Sequence, residues 1–182
     1  MLGIPLYMND KEDISRLRGT PFPSEMERLY RKLGRKPINL HRALAPAPAV
    51  LEKYLELVQS LRFEAKCPQR DRELAICRVA RLRGSDYEWA HHSPEARHAG
   101  VSEEQLNALD EWRASSLFAD RDRVILGYVD YMVVDAKFDS RVLEQYYDEQ
   151  EQVELTMTIG MYLSIAAVLR ALEVQLDDNV GN

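Results

Sequence analysis

The sequence predicts an all-α protein built as a single domain, and three observations carry that prediction. Apolar residues recur at three- and four-residue spacing through most of the chain. Helix starts and stops are marked by capping patterns and glycines. No stretch sustains the two-residue alternation and hairpin turns of strands. No internal repeat recurs at a fixed period, which points to one bundle rather than a solenoid.

Residues 1 to about 45 read as an N-terminal arm with short helices, one of them opened by the capping box Ser24-Glu25-Met26-Glu27 and running to about Leu33. Pro46 and Pro48 then precede Val50, Leu51, Tyr54, Leu55, Val58 and Leu61, spaced as one apolar stripe of a helix. Pro68 begins a segment lined by Leu74, Ala75, Val79, Ala80 and Leu82, which Gly84 stops. Ser85-Asp86-Tyr87-Glu88 has the form of a second capping box, Gly100 closes the helix that follows, and Ser102 opens another. Ile125, Leu126, Val129, Met132 and Val133 define a helix from about Arg121 to Asp135, and Asp139 can cap a short one through Tyr147. The last long helix is expected from about Gln152 to Leu176, with Leu155, Ile159, Tyr162, Leu163, Ala166, Leu169 and Leu172 facing inward. The helical domain therefore spans 46–176, and 177–182 is a tail.

Composition excludes several classes. The chain has 182 residues, 46% of them hydrophobic and 30% charged, the range of a compact globular domain. Thirty Asp and Glu against 24 Lys and Arg leave a formal charge of −6, which offers nucleic acid no basic footprint. Cys67 and Cys77 are too few for a disulfide framework and form no C-x-x-C pair. No signal peptide is evident, and the apolar run IGMYLSIAAVL is broken by Gly160 and Ser164, well short of the roughly 20 residues that span a bilayer. A cytoplasmic protein without membrane or nucleic-acid partners is the expectation.

Chemistry-bearing residues gather mid-chain at Glu73, Ser85, Glu88, His91, His92 and His98. Glu88 and His92 are four residues apart and share a helix face, and an antiparallel return through Gly84 can bring Glu73 back to His92. A carboxylate beside an imidazole fixes the ring's tautomer and raises its basicity, which makes an acid/base unit. Structural roles compete with this one. Ser85 and Glu88 suit a helix cap, and His92 suits a half-buried ring satisfied by a carbonyl. Tyr87 and Trp89 suit packing, Cys77 the core and His98 a solvated helix end, while Cys67 before Pro68 suits an exposed position. A metal site from Glu73, Glu88 and His92 lacks any supporting His spacing, so neither metal nor cofactor is expected.

The run from Glu73 to Leu109 resembles the carboxymuconolactone decarboxylase family, within the alkylhydroperoxidase-D-like superfamily. The matching residues are Glu73-Leu74-Ala75, Tyr87-Glu88-Trp89, His92, Ala96, Ala99-Gly100-Val101-Ser102 and Glu103-Glu104. The resemblance implies an all-α bundle of about six core helices that assembles as a homo-oligomer, a trimer or hexamer or possibly a dimer. The hydroperoxidase branch uses a Glu, a C-x-x-C pair and a His. In that register Glu73 and His92 are retained, and Ser85 and Glu88 stand where the cysteines would be. A thiol–disulfide cycle needs a thiolate and a resolving thiol, which neither residue supplies.

The expectation is therefore a cofactor-free acid/base enzyme, lyase-type, acting on a small carboxylated or lactone metabolite. Glu73, Glu88 and His92 are the catalytic candidates, with Tyr87 and Ser85 secondary. Arg72, Arg78 or Arg81 are candidate cations for an acidic substrate. An alkylhydroperoxidase-like peroxidase and a non-catalytic oligomeric binding protein are the alternatives.

Overall fold

A computed structural model describes Ser15, Ser24, Tyr30 and residues 37–178. The described residues are helical throughout with no strand: α1 (Asn39–Leu44), α2 (Pro48–Gln59), α3 (Gln69–Arg83), α4 (Asp86–His98), α5 (Glu103–Asn107), α6 (Asp120–Val134) and α7 (Glu149–Leu172). A π-type turn at Ser60–Glu64 extends α2, and 3-10 turns occupy Leu109–Glu111 and Ser140–Gln145. Ser24 and Tyr30 are helical, and the rest of the expected helix to Leu33, like most of the N-terminal arm, lies outside the described residues.

Helix α3 is the axis of the bundle and packs against α4, α6 and α7. Its residues from Asp71 to Ala80 are buried on every face, so this helix cannot be amphipathic and must neutralise its charges internally. Arg78 donates to Asp130 at 2.8 Å and to the Leu109 carbonyl at 2.9 Å, and Arg72 donates to the carbonyls of Cys67 and Leu61. Asp71 accepts from Arg121 and from the Tyr147 hydroxyl. Among the described residues no sealed side-chain nitrogen or oxygen is left without a partner, so each of these buried charges is paired or hydrogen-bonded, as its desolvation demands.

The turn between α3 and α4 positions the site. Gly84 adopts φ 59°, a left-handed conformation that glycine accepts without strain, and the Ser85 amide closes back onto the Ala80 carbonyl at 2.9 Å. That bond changes the expected capping box. The Ser85 hydroxyl accepts from the Glu88 amide, but the Ser85 amide is already satisfied, so the Glu88 carboxylate is released from the cap. The full box forms instead at Ser102 and Gln105.

The last helix starts and ends earlier than the sequence suggests. Asp148 and Glu151 form its capping box, and Glu173 ends it at φ 53° with the Val174 amide donating to the Leu169 carbonyl. Residues 174–178 leave the helix, and Asp177 accepts from the Asn39 amide at 2.8 Å. By length and composition alone α7 could cross a membrane, with a mean hydropathy of 1.6 over its most apolar window. Its Leu155, Ile159, Tyr162, Ile165 and Leu169 are buried against the bundle. The segment expected to be an α-helix after Asp139 is the 3-10 turn.

Candidate active site

The π-type turn, α2, α4 and α7 enclose a cavity of about 820 Å³, a volume suited to a small organic molecule. On α4 the lining residues Tyr87, Glu88, His91, His92 and Glu95 form one face, as a period of 3.6 dictates. Buried on the wall is a carboxylate–imidazole–carboxylate arrangement. The Glu73 Oε2 lies 2.7 Å from His92 Nδ1, and the Glu88 Oε2 lies 3.5 Å from His92 Nε2. The edge of Tyr162 packs on the His92 ring, centroids 4.7 Å apart, and fixes its plane. All three ionisable side chains are buried, at 6% side-chain exposure or less.

This arrangement follows from two rigid helices. Glu73 comes from α3 and cannot withdraw, because its neighbours along that helix are buried. With Glu73 ionised, His92 Nδ1 carries the proton and Nε2 is left with its lone pair toward Glu88 and the cavity. Burial pushes the Glu88 carboxyl above its ordinary value, against the opposing pull of His92, His91 and Arg62. Glu88 thus retains a proton to higher pH than a solvated glutamate does.

The other candidates separate from this cluster. Ser85 caps α4 and is not among the residues lining the cavity. Tyr87 borders it, but its hydroxyl donates to Asp177 at 2.5 Å and accepts from the Leu40 amide at 3.2 Å, so it ties segments together. Arg72 and Arg78 are spent on the core contacts described above, and Arg81 lies over the Trp89 ring at 4.5 Å with Asp110 at its tip. None of these three lines the cavity. Cys67 is buried rather than exposed, with its thiol pushed up to about 12 by burial, and Cys77 is sealed in the core with its thiol pushed higher still. Neither thiol lines the cavity, and His98 is exposed on the far end of α4.

Several lining residues carry no signal strong enough to single them out from sequence. Arg62 projects from the π-type turn, 3.9 Å from Glu73. His41 Nδ1 and the Tyr30 hydroxyl are 2.5 Å apart, and desolvation lowers the imidazole to about 4. Tyr54 lies beside His41, ring centroids 6.1 Å apart, and Asp177 reaches His91 Nε2 at 3.1 Å. An arginine directly after an apolar position, and a tyrosine within the mostly apolar run at 161–169, are the available signals. Among the described residues no group of three His, Cys, Asp or Glu side chains has the geometry to hold a metal ion.

The structure is an all-α bundle with a buried Glu–His pair beside a partly open cavity, and the comparisons share the bundle. Residues 48–130 match the carboxymuconolactone decarboxylase family. Three solved structures share the fold. A peroxidase-related protein from Silicibacter sp. TM1040 is 17% identical over 96% of this chain and 98% of its own, with a TM-score of 0.78. The debrominase Bmp8, solved as a variant in complex with 2,3,4-tribromopyrrole, is 17% identical over 94% of each chain, with a TM-score of 0.69. The alkylhydroperoxidase AhpD core protein from Ralstonia eutropha JMP134 is 13% identical over 91% of this chain and 93% of its own, with a TM-score of 0.70. No curated protein matches the chain in sequence. The family match thus covers residues 48–130, and the three structures share the fold over at least 91% of the chain.

Proposed function

We propose that the protein is a cofactor-free acid/base catalyst, of lyase or related proton-transfer type, acting on a small carbonyl, lactone or carboxylated compound admitted to the cavity. The observation that carries this reading is the 2.7 Å contact between Glu73 and His92 Nδ1, which aims the opposite ring nitrogen at Glu88 and the cavity. Such a ring accepts a proton from carbon at Nε2 and returns it, while Glu73 holds the tautomer and stabilises the imidazolium that forms. In a decarboxylation the C–C electron pair passes into an enolate as carbon dioxide leaves, and protonated His92 or Glu88 supplies the proton to carbon. Both routes need an acid and a base within one proton's reach, which the 3.5 Å separation of Nε2 and Glu88 supplies.

A peroxidase running on a thiol–disulfide cycle is the weaker reading, since both thiols are buried, pushed up and off the cavity. The solved debrominase, which holds a brominated pyrrole, supports a small ring compound as the kind of ligand this fold can take. The exposed, uncharged face of α7 at Val153, Met157, Ser164 and Ala167 supports packing against a second copy, and light scattering reads that directly. The acidic balance of the chain supports small-molecule rather than nucleic-acid partners, and two free cysteines support a reducing, cytoplasmic location.

The test is a screen of small lactones, keto acids and ketones for carbon dioxide release and for solvent-deuterium uptake at carbon. Activity that His92→Ala abolishes while the helical circular dichroism persists is the expected result. Binding without turnover across the screen favours the binding-protein alternative. Peroxide turnover that requires Cys67 or Cys77 overturns the proposal.

A further inference from the structure

Beside the acid/base pair the cavity carries polar groups that the fold does not use. Tyr54 and Tyr162 both line it, and neither hydroxyl makes a hydrogen bond to any described residue. Tyr162 is only 4% exposed, and among the described residues no sealed polar side-chain atom lacks a partner, so its hydroxyl opens onto the cavity. The contrast with Tyr87, whose hydroxyl is committed on both sides, is direct. Arg62 is the only Arg or Lys lining the cavity among the described residues, and its one ion pair there, with Glu73, is a loose 3.9 Å contact rather than a bidentate fork. A guanidinium and two phenols with donors to spare therefore surround the space next to His92.

We infer that Arg62, Tyr54 and Tyr162 form an oxyanion site, which holds the oxygen of an enolisable carbonyl substrate as it becomes an enolate. The inference rests on the acid/base reading for its chemistry and extends it to the substrate class. When His92 Nε2 takes the proton from carbon, the C–H pair becomes a C=C bond and the carbonyl π pair moves onto oxygen. That oxygen then carries most of the negative charge, and preorganised donors are worth most at such an atom. The two phenols remain protonated donors at any pH near neutrality, because burial raises both above their ordinary value.

The site has room for one negative charge only. The other ionisable groups around it include Glu52, Glu56, Glu64 and Glu95, which repel a second anionic group on the ligand. The substrate class is thus a neutral carbonyl compound, or a monoanion whose charge ends on the reacting oxygen, rather than a dicarboxylate.

The probe is 4-nitrophenol, whose phenolate copies a delocalised enolate oxygen and whose absorbance reports its ionisation, with 4-nitroanisole as the uncharged control. The wild-type protein is expected to bind the phenolate at least about tenfold more tightly than the ether, and to lower the apparent pKa of the bound phenol. Tyr162→Phe, Tyr54→Phe and Arg62→Gln should each weaken phenolate binding about 10- to 100-fold with the ether's affinity unchanged, and Arg62→Lys should restore part of the loss. Absence of phenolate binding, absence of preference over the ether, or equal weakening of both ligands in the folded variants overturns the site. His92→Ala separates the two readings. It should keep the phenolate preference while losing turnover, whereas turnover that survives it defeats the acid/base assignment and leaves the oxyanion site standing.

Discussion

His91 and His92 are neighbours in sequence, each faces a carboxylate, and the two pairs are built for different work. His92 meets Glu73 across two packed helices, with both side chains buried and the far nitrogen turned to Glu88. His91 meets Asp177, a residue beyond the end of α7, and its ring stacks on Tyr87 with centroids 4.6 Å apart. Asp177 also accepts from the Tyr87 hydroxyl and the Asn39 amide, so the second pair is one knot in a hydrogen-bond web that fastens the C-terminal segment to α1 and α4. The Asn39 side chain adds donors to the Gln175 and Leu176 carbonyls. The same functional groups form the proposed acid/base unit where rigid helices hold them and turn a ring nitrogen to Glu88, and a clasp where one carboxylate gathers three contacts.

The sharpest way to break that comparison is to remove each ring. His92→Ala should cost about 10²- to 10⁴-fold in turnover, the range for a positioned general acid/base, with the fold retained. His91→Ala should leave turnover within about tenfold and act on the tail instead, which faster amide exchange at Asn39 would register. Equal losses from the two variants would sink the distinction. Glu73→Gln is the finer probe, since it keeps a hydrogen-bond acceptor at Nδ1 and removes the charge. Its pH–rate profile should shift, a change that lost packing alone does not produce.

A second difference between the two ends of the cavity appears with acid. His41, at the Asp177 end, is lowered from 6.5 to about 4, mainly because burial disfavours its charged form, with the Asp177 carboxylate pulling the other way. The unfolded chain therefore binds a proton at this ring between pH 6.5 and 4 that the folded chain refuses. Stability is complete above pH 6.5 and declines as pH falls toward 4, by up to about 3 kcal/mol from this group. Urea melts at stepped pH should show that slope in the wild type and a flatter one in His41→Phe.

Asp177→Asn should cost about 1–2 kcal/mol, seen as a lowered denaturation midpoint at neutral pH. Burial raises this carboxyl, but hydrogen bonds from His91, Tyr87 and the Asn39 amide outweigh it and hold it below its ordinary value. The folded state therefore gains from the ionised form above the ordinary carboxylate pKa and loses that gain as pH falls through the depressed one. Wild type and variant should converge in acid.

How much of this is legible in the sequence differs between the two regions. Glu73, Glu88 and His92 are separated by nineteen residues or fewer and joined by one turn, so helical spacing and Gly84 suffice to bring them together. The clasp joins residues 39 and 177, and no local pattern records a meeting that depends on where α7 stops. The end of α7 is itself hidden, because Glu173 takes a left-handed conformation that a non-glycine residue does not advertise. Arg62 escapes notice for a related reason. At 3.6 residues per turn it falls on the stripe of Leu51, Leu55 and Val58, where a single arginine reads as the polar edge of an apolar face rather than as a ligand-binding group. The Ser85–Glu88 box misleads because Gly84 already closes the Ser85 amide onto Ala80, which leaves the carboxylate free for the site.

The smallest expected effect comes from the cysteines, and it bears on the peroxidase reading. Cys67 and Cys77 are 1% and 0% exposed, with Cys67 beneath the start of α3 and Cys77 within it. Burial pushes both thiols up, so the thiolate fraction at neutral pH is small at either position, and a peroxide diffusing into the cavity meets no sulfur on its walls. Replacing both by alanine removes two small side chains from a packed core, at a cost of about 1–2 kcal/mol in stability with no group lost from the site. Turnover on any carbon acid found in the screen should therefore stay within about twofold of wild type. Peroxide consumption with a dithiol reductant should be equally slow in both proteins. A large drop in peroxide consumption on removing the two thiols would move the chemistry from His92 to sulfur, and the buried pair of carboxylates would then have to be explained as structure.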